Sequence, residues 1–364
     1  MLVRLQADFG RNATILGAVA LVGSLATFVL RQAGGDHVLV FVLSAIALAG
    51  LAGLVGEGTD QLGHRFGAGA TGVLQSALGN LPELFISIFS LQAGLVVVVQ
   101  TALIGSILAN TLLVLGLAFL VGGLRHGTQR FEAPSVRTMA VLLLLAVAAL
   151  AVPSMATMPG APDAGHAQEV SVFVSVVLLA VFGASIPFSI RGGPGASAIA
   201  GTESSVTPWP MSRALTVLVV AGVGAALVSD WFVEALRPAM ATLGLSEAFV
   251  GLVIVAIAGN AVENVVGIQM ALRNKPDLAI SLILNSSVQV AIALTPALVL
   301  ISLVVGGGLT LVLSPLLLAA VALSALLAAF IVFDGETTWL EGLALIGLYL
   351  VIAASVWYGQ PIHV

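Results

Sequence analysis

The 364-residue chain contains no cysteine, so disulfides, thiolate metal ligands and cysteine nucleophiles are excluded together. Charge is nearly as scarce. Asp, Glu, Lys and Arg make up 8% of the residues, where a soluble protein carries roughly 25%. The 12 Lys plus Arg against 17 Asp plus Glu give a net charge of −5, which leaves no basic footprint for nucleic acid. No G-x-x-x-x-G-K-S/T segment is present to indicate a nucleotide-driven pump. What is abundant is apolar: 59% of the side chains, with a mean hydropathy of +1.16 and forty glycines, a composition suited to close-packed membrane helices.

Apolar runs between charged or Gly/Pro-rich breaks predict an all-α integral membrane protein of about eleven transmembrane helices. They lie near 13–30, 37–55, 68–92, 95–121, 136–153, 168–190, 212–229, 245–272, 277–304, 309–332 and 338–358. The first, flanked by Arg4 and Arg11 and without a small-residue cleavage site after it, reads as an anchor and not as a cleaved signal. One set of alternate loops holds Arg4, Arg11, Arg65, Arg125, Arg130, Arg137, Arg191, Arg213, Arg273 and Lys275, and the other only Arg31 and Arg237. That asymmetry predicts a cytoplasmic N-terminus and, with an odd number of spans, an external C-terminus. The Gly/Ser/Pro-rich stretch after Arg191 is the natural divide. The predicted organisation is an N-terminal helix (1–36), a first five-helix repeat (37–190), a linker (191–211) and a second five-helix repeat (212–364).

Gly79-Asn80-Leu81-Pro82-Glu83 in the third span recurs as Gly259-Asn260-Ala261-Val262-Glu263 in the eighth, 180 residues later (263 minus 83). The same offset relates Gly94 to Asn274, Gly105 to Asn285 and Ser106 to Ser286. An odd number of spans per copy forces the two copies into opposite orientations, which makes an inverted repeat of the kind found in many secondary transporters.

Each motif sets a carboxylate deep in an apolar span, where an uncompensated charge costs at least about 2–3 kcal/mol, so Glu83 and Glu263 need a cation or a proton. Gly, and Pro82 in the first copy, loosen the helix beside the Glu and can free backbone carbonyls. Asn80 and Asn260 offer amide oxygens on nearly the same helix face as the acids. Carboxylates, carbonyls and amides together make a hard oxygen site suited to Ca²⁺ and open to Na⁺. On the spans that follow, Ser106, Ser286, Asn110, Gln289 and Ser287 are candidate lining residues, although such side chains also hold membrane helices together. Glu57 and Asp60 read as the end of the second span, Asp230 and Glu234 as the end of the seventh, and Glu341 beside Trp339 as an interfacial anchor. The five histidines, His37, His64, His126, His166 and His363, form no metal pair at helical spacing.

The segments Gly79–Gly116 and Gly259–Pro296 resemble the two signature repeats of the calcium/proton exchangers, within the calcium/cation antiporter superfamily. Gly56-Glu57-Gly58-Thr59-Asp60 and Trp339-Leu340-Glu341-Gly342 agree with the same family, so the resemblance covers nearly the whole chain. It implies an eleven-span exchanger in which Glu83 and Glu263 take the place of the paired acids that bind a cation alternately with protons. The chain departs from the family pattern at Asn264, where a His is common, at Asn285, where a Gly is common, and at Pro82, where a Thr is usual.

The expected function is proton-coupled cation antiport, Ca²⁺ leaving the cytoplasm in exchange for H⁺, with Na⁺ or K⁺ exchange on the same fold as the alternative. The substrates are cations and protons, no bound cofactor is implied, and the surrounding partner is the lipid bilayer. An enzyme is not expected, because an intramembrane protease needs a Ser/His pair or two aspartates at mid-membrane depth. A channel is disfavoured because its symmetry usually comes from several subunits and not from an inverted repeat within one chain. A compact chain without a long regulatory tail fits a prokaryotic inner membrane.

Overall fold

The computed structural model describes residues 9–66, 78–131, 134–158, 160–161, 165–190 and 209–359. Arg4, residues 68–77 of the third predicted span, linker residues 191–208 and His363 lie outside the described residues. The helices are α1 (Arg11–Gln32), α2 (His37–Phe66), α3 (Leu81–Gln92), α4 (Val96–His126), α5 (Pro134–Ala156), α6 (Ala167–Ile190) and α7 (Met211–Leu243). After them come α8 (Glu247–Gly259), α9 (Ala261–Leu272), α10 (Pro276–Val305), α11 (Pro315–Asp334) and α12 (Trp339–Tyr358). Two short strands, β1 (Gln129–Arg130) and β2 (Glu336–Thr337), pair antiparallel and tie the loop after α4 to the loop after α11.

Among the described residues, nine helices are long and apolar enough to cross a bilayer, and α8 with α9 makes a tenth crossing if that pair, bent by 63°, is one span. The predicted span 245–272 is therefore broken, and 68–92 contributes α3 as its described second part.

Three boundaries differ from the sequence reading. The predicted spans 37–55 and 212–229 continue as α2 to Phe66 and as α7 to Leu243. Hydropathy stops at the first charges, but charges alone do not end a helix, and α7 runs on even through Pro238 to a left-handed Gly244. Glu57, Asp60, Asp230 and Glu234 thus lie within helices and not at their ends. The 33 residues of α7 span about 50 Å, more than the hydrocarbon thickness of about 30 Å, so its last third can carry charge. There Glu234 pairs with Arg31 of α1 at 2.6 Å, and Arg237 Nη2 donates to the Ala93 carbonyl at the end of α3 at 3.0 Å.

The third difference is at the predicted span 309–332, where the helix starts only at Pro315, capped by Ser314. Gly306, Gly307 and Gly308 all have positive φ, and residues 309–313 run without helical structure. Their buried backbone groups are satisfied by side chains of other helices. Gln100 of α4 donates to the carbonyls of Thr310 and Val312, Ser171 of α6 accepts from Leu311 N, and Ser154 of α5 accepts from Leu313 N. Such non-helical backbone is tolerated in a membrane protein only where the surrounding protein supplies these partners. Glu341 has a capping role: with Thr338 it closes a capping box at the start of α12.

The apolar core forms two clusters. One joins α1, α2, α3 and α7, the other joins α4, α5, α6 and α9 to α12, and α4 and α8 contribute side chains to both. In lipid, helix association depends on close van der Waals fit, which small residues permit. The decisive crossing is that of α4 over α8. A Cβ on Gly105 would run into the Leu252 backbone, and one on Gly251 would run into Thr101 and the Val98 carbonyl.

Replacing Gly105 by Val is expected to destabilise the protein by at least about 1–3 kcal/mol. Gly347→Ala, where an added Cβ meets nothing within 4 Å, leaves stability unchanged. Thermal unfolding in detergent, followed by tryptophan fluorescence, reads both. Equal midpoints for the two variants would contradict the packing described.

Candidate functional site

The two motifs start a new helix in the same way. Asn80 and Asn260 both adopt φ −92° and ψ 18°, outside the helical geometry, and each directly precedes a new helix, α3 or α9. The Leu84 N–H donates to the Asn80 carbonyl and the Asn264 N–H to the Asn260 carbonyl, both at 3.0 Å. Glu83 and Glu263 are each the third residue of the resulting half-helix. A carboxylate in that first turn faces the positive end of the helix dipole. The helix break thus also creates a favourable field for the charge.

Glu83 is buried, 6% exposed, and Glu263 half-buried, and the two carboxylates lie within Coulombic reach of each other. The Glu83 side chain rests over Gly259, where an added Cβ would sit 2.7 Å from the Glu83 Cγ and 3.0 Å from its Oε1. The glycine of the second motif therefore makes room for the glutamate of the first. Sequence reading assigned this glycine to loosening the helix, but the break occurs at the asparagine, and the glycine provides clearance.

Candidate residues from α4 and α10 close the site. Asn260 Nδ2 donates to Ser106 Oγ at 2.9 Å and to the Ala256 carbonyl at 2.9 Å. Its Oδ1 accepts from Ser286 Oγ at 3.3 Å and from Asn110 Nδ2 at 3.5 Å. Asn110 Nδ2 also donates to Ser286 Oγ at 3.0 Å, and Asn80 Nδ2 donates to Gln289 Oε1 at 3.3 Å. Asn80, Asn260, Ser106, Ser286, Asn110 and Gln289 are all buried, and most of these bonds join the first half of the chain to the second. Ser287 stands apart, donating to the Ile283 carbonyl of its own helix at 3.2 Å.

A feature that sequence reasoning missed sets this geometry. Both α4 and α10 contain a π turn, at Ala109–Val114 and Val290–Leu294, in matching places of the two halves. An inserted residue rotates all later side chains relative to earlier ones, and such turns cluster at functional sites. Asn110 lies in the first π turn and Gln289 immediately precedes the second. Nothing in a run of apolar residues marks a π turn; at the offset of 180 Asn110 falls on Val290 and Gln289 on Ala109, and only Ser106 and Ser286, one turn ahead, recur.

Three buried oxygens in this region have no hydrogen-bond partner: Glu83 Oε2, Asn110 Oδ1 and Asn264 Oδ1. Leaving a buried acceptor unpaired costs about 1–3 kcal/mol, so these oxygens are open to a further partner: a proton on Glu83, or a water or cation on any of the three. All three are hard oxygen donors, the type that suits Ca²⁺. Among the described residues no group of three or more His, Asp or Glu gathers to hold a metal, so the acidic part of the site is the Glu83–Glu263 pair. Two acids and several neutral oxygens suit a cation that must leave again.

The profile of the sodium/calcium exchanger protein family matches residues 37–191 and 213–358. The chain is 32% identical over 343 residues to a Ca²⁺/H⁺ antiporter of Aphanothece halophytica, covering 89% of this chain and 91% of the relative. It is 33% identical over 321 residues to the Ca²⁺/H⁺ antiporter ChaA of Bacillus subtilis, covering 86% and 90%. Among solved structures, native YfkE superposes with a TM-score of 0.80 at 28% identity, covering 94% of this chain and 99% of the other. The H⁺/Ca²⁺ exchanger CAX shares the fold, with a TM-score of 0.73 at 18% identity over 96% and 93% of the two chains. With matching breaks at Asn80 and Asn260 and with both halves of the chain covered by one profile, this chain belongs to the sodium/calcium exchanger protein family.

Proposed function

We propose that the chain is a proton-coupled Ca²⁺ antiporter that exports Ca²⁺ from the cytoplasm, energised by H⁺ moving inward. The observation that carries this reading is the Glu83–Glu263 pair across the interface of the two halves, next to buried oxygens without partners. The Ca²⁺/H⁺ antiporters of Aphanothece halophytica and Bacillus subtilis, similar over most of their lengths, support it.

Coupling follows from charge. The pair can be neutralised by two protons or by one divalent cation, and either form crosses an apolar gate far more cheaply than the bare carboxylates. A single monovalent cation leaves one carboxylate charged unless a proton joins it, which favours Ca²⁺ over Na⁺ or K⁺. Because both ligands use the same oxygens, Ca²⁺ entry from one side expels protons and proton entry from the other expels Ca²⁺. The two acids titrate as one coupled unit. Asn80 and Asn260, braced by Gln289, Ser106, Ser286 and Asn110, hold the breaks in place and position the acids.

The repeat units in this reading are 37–190 and 212–364, related by inverted topology, with 1–36 as an added helix. The ten basic residues on one set of loops support a cytoplasmic N-terminus and an external C-terminus, in a prokaryotic inner membrane.

In proteoliposomes with an imposed pH gradient, Ca²⁺ added to the wild type is expected to release lumenal protons. Glu83→Gln and Glu263→Gln, still folded by their melting curves, are expected to fall to the rate of empty vesicles. A response to Na⁺ or K⁺ without one to Ca²⁺ would overturn the substrate, and activity in both variants would overturn the site. Acidifying the Ca²⁺ side raises the apparent KM for Ca²⁺, by up to about tenfold per pH unit for each proton displaced, over the range in which the pair titrates. Initial-rate measurements at several pH values check this, and a KM independent of pH would contradict shared oxygens.

A further inference from the structure

A second concave site lies away from the acidic pair. A cleft of about 520 Å³ opens between the C-terminal ends of α4 and α9, lined by Arg125, His126, Gln269, Leu272 and Arg273. Its charged lining is entirely basic. Arg130, five residues beyond Arg125, is paired with Glu336 at 2.9 Å, whereas neither Arg125 nor Arg273 is in an ion pair among the described residues. The walls are held in register by His126 Nε2, 2.9 Å from the Leu272 carbonyl, and by Gln129 Nε2, which donates to Asn274 Oδ1 at 2.9 Å.

Basic residues in the last turn of a helix complement its dipole, and that explains Arg125 and His126 taken alone. Arg273, the C-cap of α9, satisfies the same rule, but the rule does not account for two such helix ends, one from each half, meeting at one open cleft with no acidic residue in its lining. The cleft is open to its surroundings, and its exposed guanidinium groups are accessible to a ligand at the surface. Gly123 of α4 packs on the backbone of Trp339, at 2.6 Å from where its Cβ would sit to the Trp339 nitrogen. Trp339 is half-exposed, and Leu124 and Leu340 are exposed at the same level. A partly exposed Trp among exposed leucines marks the boundary between hydrocarbon and headgroups, so the arginines stand at headgroup depth. The same end of the molecule carries Arg130, Arg137 and Lys275, the side that the loop charges place in the cytoplasm, where anionic lipids face protein.

We propose that this cleft binds the phosphate of an anionic phospholipid, with Arg125 and Arg273 as the paired donors and the acyl chains running along Leu124 and Leu340. Guanidinium groups bind phosphate oxygens through two parallel N–H donors, which gives geometry as well as charge. The bound headgroup bridges α4, which carries Asn110, to α9, which carries Glu263, and so links the two halves at one membrane face.

The test is thermal unfolding of the purified full-length protein in a neutral maltoside detergent, titrated separately with phosphatidylglycerol, phosphatidylcholine and inorganic phosphate. Phosphatidylglycerol at saturation is expected to raise the wild-type midpoint by at least about 3 °C, and the other two to leave it unchanged. Arg125→Gln and Arg273→Gln each lose at least half of the shift and the double variant loses all of it, while their lipid-free midpoints stay within about 1 °C of wild type. Lys275→Gln, outside the cleft, keeps the full shift. A phosphatidylglycerol shift undiminished in both single variants would overturn the site. A shift reproduced by inorganic phosphate alone would overturn the lipid as its ligand.

Discussion

A carboxylate enclosed by an apolar helix bundle must carry a proton or hold a cation, because the bare charge there costs several kcal/mol that no helix packing returns. The rest of this structure serves that constraint at Glu83 and Glu263. Each acid stands in the first turn of a half-helix, where free N–H groups and the helix dipole favour the anion. A half-helix within a span requires a break, and the break requires partners for the backbone groups it frees. The asparagine of each motif sits at the break, with its side-chain amide braced by a residue of the other half.

The two halves depend on each other at the site. Gly259 gives space to Glu83, Ser106 braces Asn260, and Gln289 braces Asn80. Exchange by alternating access needs the halves to move relative to one another while the site stays intact. A network of neutral amides and hydroxyls suits such motion, since exchanging one neutral hydrogen bond for another costs about 1 kcal/mol or less, whereas separating a buried ion pair costs several. The close crossing of α4 and α8 at Gly105 and Gly251 lies near Ser106 and keeps the first half against the second.

The acids were legible in the sequence because an intramembrane carboxylate is too costly to be incidental and this one recurs at a fixed offset. The offset predicted more than the acids. Gly94 and Asn274, paired by it, both adopt positive φ, 72° and 58°, at the turn after α3 and after α9. Boundaries were less legible. Hydropathy ended the second and seventh spans at their first charges, yet α2 and α7 continue because charge alone does not end a helix; α7 runs on through Pro238, and Glu234 finds Arg31. Residues 309–313 looked helical because they are apolar, and it is Ser302 nearby together with Gln100, Ser154 and Ser171, far away in the chain, that make their non-helical backbone tolerable. The π turns and the clearance role of Gly259 belong to the three-dimensional arrangement and have no local signature. Asn264 was legible as a departure from the family pattern, and its buried oxygen near the acids gives that departure a chemical meaning.

The central claim is that protons and Ca²⁺ occupy the same oxygens. Calorimetric titration of the detergent-solubilised protein with Ca²⁺, repeated in buffers of different ionisation enthalpy, tests it without vesicles or transport. The account predicts that Ca²⁺ binding releases protons at pH values where the acidic pair is protonated, and that neither binding nor release survives in a Glu83→Gln, Glu263→Gln double variant. Ca²⁺ binding with no proton release at any pH would contradict it.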